Sequence, residues 1–580
     1  MYIKSIIKKD ITHALNKIID IQHYDPLVKL SKKLEYGHYQ INNLIKLSKI
    51  LKITPFQISK KIISNINNKK MYEKITFSEP GFINLFLNLS WLSEQLNKML
   101  KSIRLGVPYD INKQNIVIDY SSPNIAKEMH VGHLRSTIIG DVIARILSFL
   151  GHNVIRANHI GDWGTQFGML IAYLKNKKLI EKLNNNNISL FQLDKYYSKA
   201  KKKYDEDQLF AEKSRKYVVK LQNKDPIYYS IWKKIVFITM THNNEIYKKL
   251  NVTLNETHIM GESLYNDMLP NIIQDLKSKK IAIEKNGAII VFLKEFKNRL
   301  GESMGVIIQK KDKGFLYSTI DIACLKYRYE IFNAHRIIYY TDSRQHQHLI
   351  QVWTIAKKAN YIPNSIILEH HMFGMMLNKD KKPFKTRDGN TIKLNELLDE
   401  SIERANKIIN EKKFKSSKKK RIQLARIIGI SAIKYADLSK NRNTDYIFNW
   451  DKMLSFEGNT APYIQYAYTR IMSIFKKSHI SISKIKNNIL LIEECEINLA
   501  LLLLEFEEII YLVAKKGTPH ILCEYLYKVS TNFSNFYENC SILFPKKIKI
   551  CKSRLKLSFL TAKIIKKGLN MLGIKTVEKM

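Results

Sequence analysis

The chain has 580 residues, of which 45% are hydrophobic and 10% aromatic, and this apolar content excludes a mainly disordered or collagen-like polymer. Lys and Arg number 96 against 52 Asp and Glu, a formal net charge of +44; such a field favours an anionic partner, nucleic acid or nucleotide, although a general Lys, Ile and Asn bias also raises charge everywhere. No stretch reaches the ~18 uninterrupted apolar residues of a membrane-spanning helix, so no membrane partner is expected.

Met1 to Asp20 alternates Ile, Lys and Asp with neither an apolar core nor a small-residue cleavage site, so no secretory signal is expected. Ile41, Leu44, Ile45, Leu47 and Leu51 recur at helical spacing, and Phe82 to Asn88 alternates at the period of a strand. Residues 1–105 therefore read as a small α/β unit, with Gly106 to Asn115 as a linker. Ile116, Val117 and Ile118 then form a short buried strand, and Ser121-Ser-Pro-Asn124 turns the chain. Leu134, Ile138, Val142, Ile146 and Leu150 line a helix closed by Gly151, and Val154 to Ala157 is a second strand. This β-α-β order opens a parallel nucleotide-binding sheet.

Residues of about 170–255 are charged and helix-like and read as an insertion. Parallel order resumes with a strand over Ile337 to Thr341, a helix bearing Leu349, Val352 and Ala356, and a strand over Ser365 to Leu368. The predicted fold class is thus α/β: a Rossmann-type parallel-sheet catalytic domain over 106–405, followed by an all-α bundle over 406–580. The Lys-rich Glu411 to Arg421 fits a basic linker or a solvated helix face. In the bundle, Ala500 to Val513 is the most apolar run and reads as one buried helix despite Glu505, Glu507 and Glu508. Cys324, Cys495, Cys523, Cys540 and Cys551 are odd in number and too far apart for a zinc knuckle, which predicts reduced thiols in a cytoplasm and no metal site.

Three segments carry candidate chemistry. His130-Val-Gly-His133 stands where the first strand hands over to the first helix; free helix N–H groups attract phosphate, Gly132 lets a flat ring approach, and the two imidazoles can donate to phosphate oxygens. Asn158-His-Ile-Gly-Asp-Trp-Gly-Thr-Gln166 follows the second strand, where open α/β sheets bind ligands, and taken alone it is equally a capped Gly-rich turn. Lys381-Lys-Pro-Phe-Lys-Thr-Arg-Asp-Gly-Asn390 is a basic loop whose lysines can neutralise a leaving pyrophosphate, though such a run is more often merely solvated.

Asp119-Tyr-Ser-Ser-Pro-Asn-Ile-Ala-Lys127, the H-x-G-H segment with Leu134-Arg-Ser-Thr-Ile-Ile-Gly-Asp141, Asn158 to Gly168, and Tyr340-Thr-Asp-Ser-Arg-Gln-His-Gln347 together resemble the class I arginyl-tRNA synthetases, in the right order. The likeness extends to Gly568 to Met580. It implies a ligase that joins L-arginine to ATP, releases pyrophosphate, and passes the arginyl group to the terminal ribose of tRNA(Arg). By this resemblance His130, Gly132 and His133 hold ATP, taken with Mg2+ and no tightly bound metal. Lys382-Pro-Phe-Lys-Thr386 stands in place of the family's K-M-S-K-S element, keeping Lys382 and Lys385 but losing the Met and first Ser. Asp119 and Asp321 would face the guanidinium beside Tyr317, while Asn124, His159 and Gln345 would hold the α-amino and α-carboxyl end. Asp119 is one methylene shorter than the Glu of many relatives. Tyr463, Tyr466 and Met580 would meet the tRNA from the helical anticodon-binding part, and the N-terminal unit would touch the tRNA corner; a monomer is the family habit. Two other readings share the H-x-G-H element: a small-molecule nucleotidyltransferase, and a tRNA-binding relative without catalysis.

Overall fold

A computed structural model describes residues 3–17, 24–31, 33–297, 301–382, 392–411, 417–480, 485, 488–545 and 547–580. The N-terminal unit is a four-stranded antiparallel sheet in the order Val28–Leu30, Tyr39–Ile41, Phe82–Leu87, Tyr72–Ser78, covered by the helices Ile3–Asn16, Leu44–Leu51 and Pro55–Asn65. Lys4 of its first helix reaches Glu505 and Glu508 of the C-terminal bundle at 3.1 Å each, which ties the two ends of the chain together.

The central sheet is parallel, in the order Ile367–His370, Arg336–Tyr339, Asn115–Asp119, Asn153–Ala157. Ile116, Val117 and Ile118 are fully buried, as expected of a strand covered on both faces. The crossover helix Gly132–Leu150 is buried nearly all round, polar side chains such as Arg135, Thr137 and Asp141 included, and lies within the core. Gly140 lets it close on the first strand, because a Cβ there would sit 2.4 Å from the Tyr120 ring. The last strand begins at Ile367 rather than Ser365, because the Ile366 amide bonds back to the Pro363 carbonyl (3.3 Å) and closes a turn first.

The insertion consists of the helices Thr165–Asn176, Ile180–Asn184, Leu190–Glu206, Gln208–Gln222 and Pro226–Lys249, with a core of its own around Phe167, Leu193 and Trp232. Between it and the returning sheet lies an antiparallel layer that the sequence reading overlooked: Ala282–Lys285, Ala288–Lys297 and Ser303–Gln309. Its first hairpin turns at Asn286-Gly287, both at positive φ (55° and 76°), the pair that a tight two-residue hairpin favours.

The expected boundary at 405/406 falls inside the helix Leu394–Glu411, which packs along Lys418–Leu438. A small parallel bridge, Met376–Leu377 with Tyr446–Ile447, stitches the catalytic half to the C-terminal bundle. The bundle goes on through the helices Ala461–Ser478, Glu494–Leu504, Phe506–Lys516, His520–Asn539 and Ile548–Met571. The apolar run expected as one helix is therefore two. They divide at Glu505, whose amide bonds three residues back to the Leu502 carbonyl (3.1 Å) while its carboxylate turns to Lys4. Among the described residues no helix is long and apolar enough to cross a membrane.

Candidate active site

The carboxyl ends of the four parallel strands converge on Asp119, the 157–159 turn, Tyr340 and His371, and the H-x-G-H segment lies beside them. The rings of His130 and His133 lie against each other, centroids 4.1 Å apart and planes tilted by 40°. The Nδ1 of His130 accepts the Gly132 amide and the Nδ1 of His133 accepts the His130 amide, both at 3.1 Å. An Nδ1 that accepts leaves the ring proton on Nε2, so both imidazoles present an Nε2–H donor. Burial, then the neighbouring His130, pushes His133 down to about 3; burial and the cations of Lys393 and Lys127 lower His130 as well. Both rings are therefore neutral donors at pH 7 rather than fixed cations. Gly132 serves His130 itself, since a Cβ there would meet that ring at 2.8 Å.

The segment is held from outside by an isolated antiparallel bridge: His130 pairs with Lys393, and Lys393 Nζ reaches Asp194 at 2.6 Å. Lys393 thus links the H-x-G-H turn to the insertion. Lys382 lies in an exposed turn whose amide bonds Asn378 Oδ1 at 2.9 Å. Lys385 and the rest of the altered K-M-S-K-S element lie outside the described residues.

The first strand runs into the turn Ser121–Ala126, where Ser121, Ser122 and Ala126 all take positive φ. Such backbone strain persists only where the surroundings over-determine it; here Ser136 Oγ accepts the Ser121 amide and Asn158 Oδ1 accepts the Ser122 amide. Asp119 is buried and already committed, to Arg328 at 2.5 Å and to the Ser122 hydroxyl at 3.0 Å. Arg328 itself is fully buried. Asp321 is more open; its Oδ2 is 2.6 Å from His348 Nε2 and its Oδ1 3.9 Å from His159 Nε2. Burial opposes a charge on His159, but the Cys324 sulfur and the carboxylates of Asp119 and Asp321 outweigh it and raise the ring to about 10. Asn124, bridged to Gly161, and Gln345, at the end of the 3-10 turn Ser343–Gln345, are exposed, and Tyr317 is 60% exposed at the first turn of the helix Tyr317–Phe332, one turn before Asp321.

Two further residues belong here that the sequence reading passed over. Glu262 is 7% exposed, and its Oε2 has no hydrogen-bond partner. Burial, with Asp321 and Asp162 adding to it against the pull of His159, raises it to about 8. A buried, unpaired acceptor among carboxylates is what an incoming cation would satisfy. It lies in a 3-10 turn, Glu262–Met268, without periodic pattern, so no sequence signal marked it. Arg328, three turns into its helix, was equally unmarked.

In the C-terminal bundle Tyr463 is half-buried against Tyr527, ring centroids 5.5 Å apart, rather than open to a base. Tyr466 is exposed. Its neighbour Arg470 lies between two aromatic rings, 5.3 Å from Tyr466 and 4.9 Å from Tyr537. Met580 packs with Tyr466, Phe456 and Ile408 around a cavity of about 140 Å³. Tyr466 and Tyr537 thus flank the Arg470 guanidinium, and of the three the sequence marked only the first.

A parallel sheet with an H-x-G-H turn at its carboxyl edge and a helical bundle appended defines the catalytic architecture of the class I aminoacyl-tRNA synthetases. Residues 95–450 match the family model of the class I (R) tRNA synthetase catalytic domain, 464–580 the DALR anticodon binding domain, and 5–87 the arginyl tRNA synthetase N terminal domain. The arginine–tRNA ligase of Buchnera aphidicola subsp. Acyrthosiphon pisum (strain Tuc7) is 70% identical over 580 residues, the whole of both chains, and that of Edwardsiella ictaluri 55% identical over the same span. The crystal structure of the Plasmodium falciparum arginyl-tRNA synthetase superposes with a TM-score of 0.83 at 35% identity, covering 100% of this chain and 99% of that one. The chain belongs to the arginine–tRNA ligase family.

Proposed function

We propose that the chain activates L-arginine with ATP and transfers it to the terminal ribose of tRNA(Arg). The observation that carries this reading is the concentration of acidic groups, Asp321 and the unpaired Glu262, beside a pair of neutral imidazole donors at one sheet edge. In the first step an oxygen of the arginine carboxylate attacks the α-phosphorus of ATP and the bond to the β-phosphate breaks, releasing pyrophosphate. In the second, a ribose hydroxyl attacks the arginyl carbonyl and AMP leaves with the bonding pair. No covalent enzyme intermediate is needed; catalysis rests on positioning and on stabilising charge as it moves.

His130 and His133 donate Nε2–H to phosphate oxygens as charge develops there. ATP arrives with Mg2+ as part of the substrate, and Lys382 and Lys385 take the pyrophosphate side. Asp321 and Glu262 receive the guanidinium beside Tyr317, and Asp119 supports them from behind by fixing Arg328 in place. Asn124, His159 and Gln345 sit at the end suited to the α-amino and α-carboxyl groups. Residues 1–105, 106–405 and 406–580 then act as tRNA-contacting, catalytic and anticodon-binding parts, with Tyr466, Arg470, Tyr537 and Met580 meeting unpaired bases. The chain works in the cytoplasm as a monomer.

The test is tRNA charging by the purified protein with each of the twenty amino acids in turn. Arginine alone should be esterified to tRNA. Adenylyl transfer to a small acceptor without charged tRNA, or tight tRNA binding without turnover, would reject the assignment.

A further inference from the structure

One buried ion pair lies where the catalytic helix, the approach to the lysine turn and the C-terminal helices meet. Arg135, two residues beyond His133, is 2% exposed, and Asp437 near the end of Lys418–Leu438 is fully buried. The Nε of Arg135 lies 3.3 and 3.2 Å from the two Asp437 oxygens. Its Nη1 donates to the carbonyls of Gly374 (2.8 Å) and Thr444 (3.0 Å), and the guanidinium lies 5.3 Å from the Tyr446 ring. Those carbonyls belong to the two segments that pair as Met376–Leu377 and Tyr446–Ile447, and the first of them runs directly into the Asn378–Lys382 turn. The segments are in hard contact: a Cβ on Gly374 would approach the Thr444 carbonyl carbon to 2.5 Å. Met375 is constrained from the same side, its amide bonding Asp445 Oδ1 at 2.6 Å.

Burying a guanidinium and a carboxylate costs both their hydration, and an apolar pair of similar volume commonly serves stability as well or better. Stability alone therefore gives little reason for this pair, whereas a planar fork with donors in fixed directions is suited to setting several backbones in one register. We propose that Arg135 and Asp437 are positioning residues of the adenylation step, holding the two H-x-G-H imidazoles in register with the strand that leads to the Lys382 turn and anchoring that register on the C-terminal helices. Neither side chain touches substrate. The pair acts through the first turn of Gly132–Leu150, where His133 sits, and through Met376–Leu377. This inference rests on the ligase reading of the chain.

The experiment compares the full-length protein with Arg135→Met, Asp437→Leu and the double variant Arg135→Met/Asp437→Leu, measuring thermal unfolding together with kcat and the KM values for ATP and arginine in tRNA charging. Each single variant strands a buried charge or leaves carbonyls unpaired and should lower the melting temperature. The double variant, which strands no charge, should melt above either single variant and below the wild type by the cost of the two unpaired carbonyls, while its kcat remains about 100-fold low, the scale of a small misplacement of reacting groups, with the arginine KM changed less than about twofold. Recovery of kcat along with stability would show the pair to be structural and overturn the inference, as would a loss confined to the arginine KM. Should the double variant not fold, Arg135→Lys decides: it keeps the charge but cannot span the carboxylate and both carbonyls, so kcat measured well below the melting temperature of the variant should fall at least about tenfold, and full activity overturns the inference. A wild-type protein that charges no tRNA with arginine rejects the ligase reading itself, a result distinct from an active wild type with an equally active double variant.

Discussion

As the acceptors proposed for the guanidinium, Asp321 and Glu262 would meet a cation in different ways, and the difference is measurable. Asp321 is held between two imidazoles, those of His348 and His159. Asp321→Ala should remove a charge-assisted hydrogen bond worth about 2 kcal/mol, raising the arginine KM roughly 30-fold with the ATP KM little changed. Steady-state kinetics with each substrate varied decides it, and an unchanged arginine KM would remove Asp321 from the guanidinium site. Glu262 is instead protonated in the free protein at neutral pH, because burial holds it up to about 8. Binding of a guanidinium must then drive a proton off, so the arginine KM should fall as pH rises from 6 to 8 in the wild type and lose that slope in Glu262→Gln. Calorimetry in buffers of different ionisation enthalpy should register the released proton. The stability sign is opposite: a carboxyl raised above its unfolded value of 4.5 costs folding free energy as pH climbs from 4.5 toward 8. Glu262→Gln should accordingly be the more stable protein above pH 7, as thermal melts across pH would show.

At the scale of elements, regular pattern was legible and its interruptions were not. The β-branched strand Ile116–Ile118, the crossover helix and the insertion helices all announce themselves through periodicity, and the H-x-G-H turn lies where that periodicity places it. What escaped was set by tertiary contact or by turn chemistry that went unread. The Asn286-Gly287 hairpin carried a plain signal in two residues. The break at Glu505 carried none, because it depends on Lys4, which is five hundred residues distant in sequence. The candidate site divides in the same way. Residues in long motifs were found, whereas Glu262, Arg328, Arg470 and Tyr537 each matter through a neighbour contributed by another element. The helix face Ala461–Ser478 shows the consequence: Tyr463, for which the family resemblance implied a tRNA contact, packs against Tyr527, and Arg470 takes a place between Tyr466 and Tyr537. If that surface stacks on unpaired bases, Tyr537→Ala should weaken tRNA binding by about 1 to 3 kcal/mol and Tyr463→Ala should mainly lower stability. Filter binding alongside thermal melts separates the two, and equal tRNA affinity for wild type and Tyr537→Ala would place the anticodon elsewhere.

For the molecule as a whole, the junction of insertion, bundle and carboxyl-terminal segment contains a lysine in an unusual state. Lys434 is 1% exposed at the floor of a cavity of about 710 Å³ between Pro226–Lys249, Leu394–Glu411 and Gly573. Its Nζ donates to the carbonyls of Leu250 (2.7 Å) and Gly573 (3.0 Å), two acceptors for the two hydrogens of a neutral amine. Burial pulls it down to about 7, with Asp141 resisting and Arg145 assisting. Between pH 7 and 10.5 the unfolded chain retains a proton that the native chain has released, so native stability rises with pH across that window. A shift of this size represents several kcal/mol as an upper bound. Lys434→Met should abolish the slope, matching the wild type near pH 6.5 and falling below it by pH 9, where the two stranded carbonyls dominate. Equilibrium unfolding in urea at the two pH values tests this, and parallel curves for wild type and variant would mean that Lys434 stays charged.

The order of the parallel sheet also shapes how the chain comes into being. Asn115–Asp119 pairs on one side with Asn153–Ala157, close behind it, but its other neighbour, Arg336–Tyr339, is encoded roughly two hundred residues later. At a synthesis rate of about 5–20 residues per second, the nascent catalytic half waits on the ribosome for roughly 10 to 40 s with the edge of its central strand unpaired. The insertion helices have a core of their own and emerge in that interval, so they can fold while the sheet cannot. The exposed edge, a row of free amides and carbonyls flanked by Ile and Val, is where a chaperone would be needed and where crowding would first divert the chain into aggregates.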